Sequence, residues 1–89
     1  MKAVVTVIGK DKEGIIAEIT SALAENKVNV LEISQTILQN YFTMIMIVDL
    51  EKMKKDFNHL KEILEEVGKK IDVSIKIQHE DIFNSMHTV

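Results

Sequence analysis

The sequence predicts an α+β domain of the ferredoxin-like kind. That means a βαββαβ chain, a four-stranded antiparallel sheet with two helices on one face, and a short C-terminal helical tail. Three observations carry this. The periodicity runs strand, helix, strand twice over, in halves spanning Ala3–Leu38 and Tyr41–His79. Two segments, Ala3–Ile8 and Tyr41–Leu50, are apolar on both sides, as central strands are. A third, from Ile71, alternates strictly and reads as an edge strand. Right-handed crossovers join such halves so that the first and third strands lie in the middle of the sheet. The domain is expected over residues 1–78 and the tail over 79–89.

In chain order, Ala3, Val5 and Val7 share one face of the first strand, with Val4 and Ile8 on the other. Asp11 is the expected N-cap of a helix whose stripe is Ile15, Ile16, Ile19, Ala22 and Leu23. Asn26-Lys27 marks its stop. The second strand, Val28 to Leu38, places Asn29, Leu31, Ile33, Gln35 and Ile37 on one face. Gln39-Asn40 forms the turn, since asparagine tolerates positive φ. In the third strand Phe42, Met44, Met46 and Val48 stand opposite Thr43, Ile45 and Ile47. The second helix carries Met53, Phe57, Leu60, Leu64 and Val67, with Gly68 as its expected C-terminal cap. Ile71, Val73, Ile75 and Ile77 then alternate with Asp72, Ser74, Lys76 and Gln78. In the tail, Ile82, Phe83, Met86 and Val89 fall on one helical stripe.

Helices on one face leave the other face of the apolar central strands uncovered, and such a patch marks an interface. A homodimer or higher oligomer is expected, with the tail packed over the sheet or a neighbouring subunit. Self-association also suits a domain of 89 residues with a modest core and no cysteine to staple it. No apolar run is long enough to span a bilayer, and Met1–Val5 is too short and strand-like for a signal peptide. The expectation is a cytoplasmic protein with no membrane partner.

The net charge is −3, and all eleven basic residues are lysines. Without arginine there is no bidentate clamp for phosphate or carboxylate. With only Phe42, Phe57, Phe83 and Tyr41 for stacking, direct nucleic-acid binding is not expected. The carboxylate pairs Glu65-Glu66 and Glu80-Asp81 fall where a helix or tail is solvated, which argues against acid–base work. No serine–histidine–acid array or cysteine nucleophile is present. Gly9 and Gly14 are too sparse for a dinucleotide or phosphate loop. His79, Glu80, Asp81 and His87 are spaced more loosely than metal ligands normally are. The chain is therefore expected to be no enzyme and to carry neither metal nor cofactor. An acylphosphatase-like activity on the same fold lacks its arginine.

The stretch with binding chemistry is Ile8-Gly9-Lys10-Asp11-Lys12-Glu13-Gly14-Ile15-Ile16. A strand ends, a polar turn follows, and a helix begins whose first N–H groups lack intrahelical partners and favour an anion. Glycine admits close approach. The competing reading is a capped helix start packed closely against its strand. Asn29, expected to begin the second strand at the same sheet end as the turn, tips the balance toward a ligand, since its amide both donates and accepts.

The order Gly9-Lys10-Asp11-Lys12-Glu13-Gly14-Ile15, an amphipathic helix, then Lys27-Val28-Asn29-Val30 resembles the ACT domain, a small regulatory fold that binds amino acids. The likeness covers Met1 to Gln78 and is nearest to small stand-alone ACT proteins. These are similar to the glycine cleavage system regulatory protein and related bacterial and archaeal single-domain proteins; the tail from His79 to His87 resembles the ending of that last group. The family usually has a proline where this chain has Glu13, so the turn is less rigid and more negative. The resemblance implies a ligand between subunits. Asp11 would accept its ammonium, the N–H groups of Gly14, Ile15 and Ile16 would hold its carboxylate, and Asn29 and Val30 of a second subunit would close the site. Lys10 and Lys12 would add positive charge. The implied function is a non-catalytic, amino-acid-binding regulator acting as a homo-oligomer. The alternative is a protein–protein interaction module that binds no metabolite.

Overall fold

The computed structural model describes residues 1–87, with side chains through Ser85. Seven elements follow one another: β1 (Lys2–Lys10), α1 (Ile15–Glu25), β2 (Asn29–Leu38), β3 (Tyr41–Asp49), α2 (Phe57–Ile71), β4 (Val73–His79) and α3 (Glu80–His87). The sheet is antiparallel in the order β2-β3-β1-β4, so the two doubly apolar strands are indeed central.

The core lies between the sheet and the helices α1 and α2. Ala3, Val5 and Val7 of β1 and Met44, Met46 and Val48 of β3 are fully buried there, under Ile15, Ile19 and Leu23 of α1 and Leu60 and Leu64 of α2. These are the apolar stripes of the sequence, now facing one another. Asp56 caps α2 by accepting the His59 N–H at 2.8 Å. Phe57 at the start of that helix stacks on His79 at the end of β4, with ring centroids 4.0 Å apart. Lys70 of α2 reaches Glu18 of α1 at 3.3 Å, an exposed pair of small energetic weight.

Four local expectations are corrected. The N-cap of α1 is Gly14, not Asp11, because Gly14 makes the turn at φ 86°, where a side chain is strained, and its carbonyl accepts the Glu18 N–H at 3.0 Å. Gly68 does not end α2. The helix continues to Ile71, and Asp72 adopts the left-handed cap at φ 58°, donating its N–H to the Gly68 carbonyl. Ile71 consequently belongs to α2 rather than β4. Gly68 is present for proximity: a Cβ there would stand 2.6 Å from the Val73 carbonyl oxygen.

In β2, a bulge between Val30 and Glu32 inserts Leu31 and reverses the alternation. Cross-strand partners share a face, so Val30 (opposite Val48) and Ile33 (opposite Met46) both look toward the helices. Asn29 and Glu32 look the other way, and Asn29 does not share a face with Ile33.

The second face of the sheet is only partly covered. α3 packs on β1 and β4, and Val4 is 3% exposed although it faces away from α1 and α2. Ile8 and Ile45 on the same face remain open. Met86, placed on the tail stripe with Ile82 and Phe83, has a side chain outside the described residues, and Val89 lies outside them entirely.

Gly68 yields a prediction with a definite sign. Alanine is better than glycine inside a helix by about 1 kcal/mol. Overpacking against a backbone atom costs about 1–3 kcal/mol. Gly68→Ala is therefore expected to lower stability by up to about 2 kcal/mol in thermal denaturation, and an alanine variant more stable than the parent would refute the close-approach account.

Candidate functional site

The turn from Lys10 to Gly14 is held by the hairpin beside it. β1 ends opposite the start of β3, Lys10 pairing with Tyr41. The Asp11 N–H donates to the Asn40 carbonyl at 2.7 Å. Gln39 and Asn40 both have positive φ, as a tight two-residue hairpin requires. Asp11 is thus used through its backbone to tie two turns together, and its exposed carboxylate is left for other work.

Between this turn and the sheet lies a shallow depression of about 280 Å³. Gly14, Ile15, Ile16 and Ala17 form its wall, Phe42 its buried floor, and Gln35 its far rim. No side chain caps α1, so the opening N–H groups of the helix retain the partial positive charge that draws anions. The turn itself carries Lys10, Asp11, Lys12 and Glu13, whose formal charges sum to zero. A small zwitterion suits such a place: amides for a carboxylate, a carboxylate for an ammonium, and an apolar floor.

Of the seven residues singled out from sequence, Asp11, Gly14, Ile15 and Ile16 line this depression together. Lys10 is next to it along the chain, exposed at the end of β1. Asn29 and Val30 are not brought to it within one chain. Asn29 pairs with Asp49, which pairs with Lys2, so it lies at the opposite end of the sheet from the turn. The separation is most of the length of β1, about 25–30 Å at the rise of a strand. The expectation of a shared sheet end is corrected. Lys12, Ala17, Gln35 and Phe42 line the depression as well. Gln35 and Phe42 were not anticipated there, though Gln35 left a trace as the one polar residue between Ile33 and Ile37 on its face.

Among the described residues there is no cluster of three or more histidine, aspartate or glutamate side chains able to hold a metal; the His87 side chain lies outside them. No helix among the described residues is long and apolar enough to cross a membrane.

This sheet order, with α1 and α2 on one face, is the ferredoxin-like βαββαβ arrangement. Residues 2–78 match the model of the ACT domain, and the chain belongs to that family. It is 62% identical over its full length to the full length of a UPF0237 protein of Clostridium acetobutylicum. An ACT domain protein from Streptococcus pneumoniae superimposes with a TM-score of 0.82 at 44% identity, covering 93% of each chain. A putative glycine cleavage system transcriptional repressor shares the fold, with a TM-score of 0.76 at 18% identity over 86% of this chain and 44% of that one. ACT domains are commonly regulatory modules that bind small molecules.

Proposed function

We propose that this protein is a non-catalytic regulatory module that binds a small amino acid at the turn between β1 and α1, and that it acts in the cytoplasm as a homo-oligomer. The observation that carries the reading is the uncapped N-terminus of α1, opened by Gly14 over the Phe42 floor beside the Asp11 carboxylate. Within one chain the depression is shallow. Antiparallel pairing of β2 with β2 of a second copy would bring Asn29 and Val30 of that copy alongside Leu38 and the 39–40 turn, and so toward Asp11. The two halves of the expected site, which lie at opposite ends of one sheet, would meet across the seam.

The test is a thermal-shift screen over the twenty amino acids. A ligand that binds only the folded, assembled form stabilises it by about 2.7 kcal/mol at a hundredfold excess over its dissociation constant. For a domain of this size each kcal/mol raises Tm by about 4–8 °C, so a true ligand is expected to give an unmistakable shift. Gly14→Asp puts a side chain at a left-handed position and a negative charge at the carboxylate site, and is expected to abolish the response. Asn29→Ala is expected to weaken it. No shift with any amino acid at millimolar concentration would remove the reading.

A second reading is supported by the exposed isoleucines and leucines of β2: a module that self-associates and docks on a regulator or enzyme without a metabolite. Under it, both substitutions leave assembly and partner capture unchanged.

A further inference from the structure

The sheet face turned away from α1 and α2 carries a second cavity, unconnected with the turn at Gly14. Strand register arranges this face in rows that cross three strands: Ile47–Val4–Gln78, then Ile45–Thr6–Lys76, then Thr43–Ile8–Ser74. The first row lies toward the β4–α3 junction, and Val4 is buried there. The next two rows are open, with Ile8 51% and Ile45 39% exposed. Between them and Phe83 of α3 lies a cavity of about 920 Å³ that continues round the free edge of β4 to Lys61 and Glu65 of α2.

We propose that this cavity is a binding site for an amphipathic organic acid, an apolar chain or ring bearing one carboxylate. Size is the first argument, since small-molecule sites commonly measure about 300–1,000 Å³ and combine an apolar lining with a few polar groups. The lining is the second. Ile8, Ile45 and Phe83 supply apolar surface, while Thr6, Ser74 and Lys76 supply hydroxyls and one ammonium on the same face. Charge is the third. Lys76 takes part in none of the ion pairs among the described residues, and on the far rim the charges of Lys61 and Glu65 offset each other, so the lining carries a net positive charge of one, that of Lys76. Distance is the fourth. Lys76 and Ile45 are two strands apart in one row, about 10 Å at the spacing of neighbouring strands, which a medium-chain acid spans. Nucleic acid is disfavoured because Phe83 is the one aromatic ring lining the cavity.

The experiment is a titration of the full chain followed by heteronuclear amide NMR, with octanoate as the probe and octanol and acetate as controls. Octanoate is expected to shift the amides of Thr6, Ile8, Ile45, Ser74 and Lys76 saturably. Octanol is expected to bind more weakly at the same residues, and acetate not at all. Lys76→Glu should weaken octanoate about tenfold while leaving octanol unchanged, and Lys27→Glu, beside β2 at the opposite edge of the sheet, should alter neither. Each of four results would overturn the proposal: no saturable shifts, shifts centred on Gly14 to Ile16, equal octanoate affinity in Lys76→Glu, or concentration-dependent protection of Ile8 and Ile45 showing that a second copy already covers them. The amino-acid screen reads the turn at Gly14 and the Lys76→Glu comparison reads this face of the sheet, so failure of one is distinguishable from failure of the other.

Discussion

Leu23→Ala is expected to cost about 2–5 kcal/mol of folding free energy, the usual range for a leucine truncated inside a packed core. Leu23 is 0% exposed and sits in the cluster that joins α1 to the sheet. Its carbonyl accepts the Val28 N–H at 2.9 Å where the chain leaves the helix for β2, so the backbone there is pinned and poorly placed to collapse into the space. A domain of this size has a total stability of roughly 5–13 kcal/mol, and no disulfide limits the damage. A midpoint lowered by about 8 °C or more in thermal denaturation is expected. Leu38→Ala, the same change at a residue 68% exposed, provides the control and should stay within about 0.5 kcal/mol for the isolated chain. A loss under 1 kcal/mol at Leu23 would mean that the core between α1 and the sheet is not packed as described. A large loss at Leu38 would mean that assembly buries it.

The features legible in the sequence are those set by periodicity. The doubly apolar runs at Ala3–Ile8 and Tyr41–Leu50 marked the central strands, because strands apolar on both sides are usually interior to a sheet. The stripes of α1 and α2 were equally plain. Features set by a single close approach or a single extra residue were not. Gly68 reads as a helix stop, since glycine both ends helices and lets backbones touch, and only the Val73 carbonyl beside it decides between the two. The stop is instead Asp72, an L-residue in the left-handed region. Leu31 looks like one more member of an alternating strand, yet its bulge turns Ile33 to the helix side.

Within the site, Asp11, Gly14, Ile15 and Ile16 were readable because they are contiguous. Gln35 and Phe42 reach the same depression only through the pairing of β2 with β3. Asn29 was assigned to the wrong end for a reason that topology makes plain. A helix of eleven residues runs back about 16 Å along the strand before it, so β2 starts near the end where β1 began.

That misplacement sharpens the second large prediction, which concerns assembly. Unpaired edge strands are normally protected by lysine, proline or brevity. β4 is short and carries Lys76, whereas β2 has ten residues, neither lysine nor proline, and Glu32 as its single charge. It exposes Leu31, Ile33, Ile37 and Leu38. Pairing two such edges about a two-fold axis would satisfy their free backbone groups and bury the four isoleucines at positions 33 and 37, two from each copy. The combined change Ile33→Lys and Ile37→Lys is expected to raise the dissociation constant for self-association by a hundredfold or more, about 2.7 kcal/mol, which is modest against the roughly 6–12 kcal/mol that four fully buried isoleucines would be worth. Sedimentation velocity across micromolar concentrations measures it, and the monomer should keep its fold because Ile33 is already 48% and Ile37 53% exposed. The Asp11 N–H bond to Asn40 joins the hairpin of β2 to the turn before α1, so under the proposed function loss of assembly should also remove the thermal response to an amino acid. A variant that sediments like the parent would dismiss β2 as the seam. A monomeric variant that still responds would leave the ligand site complete within one chain, with Gln35 rather than Asn29 as its polar partner.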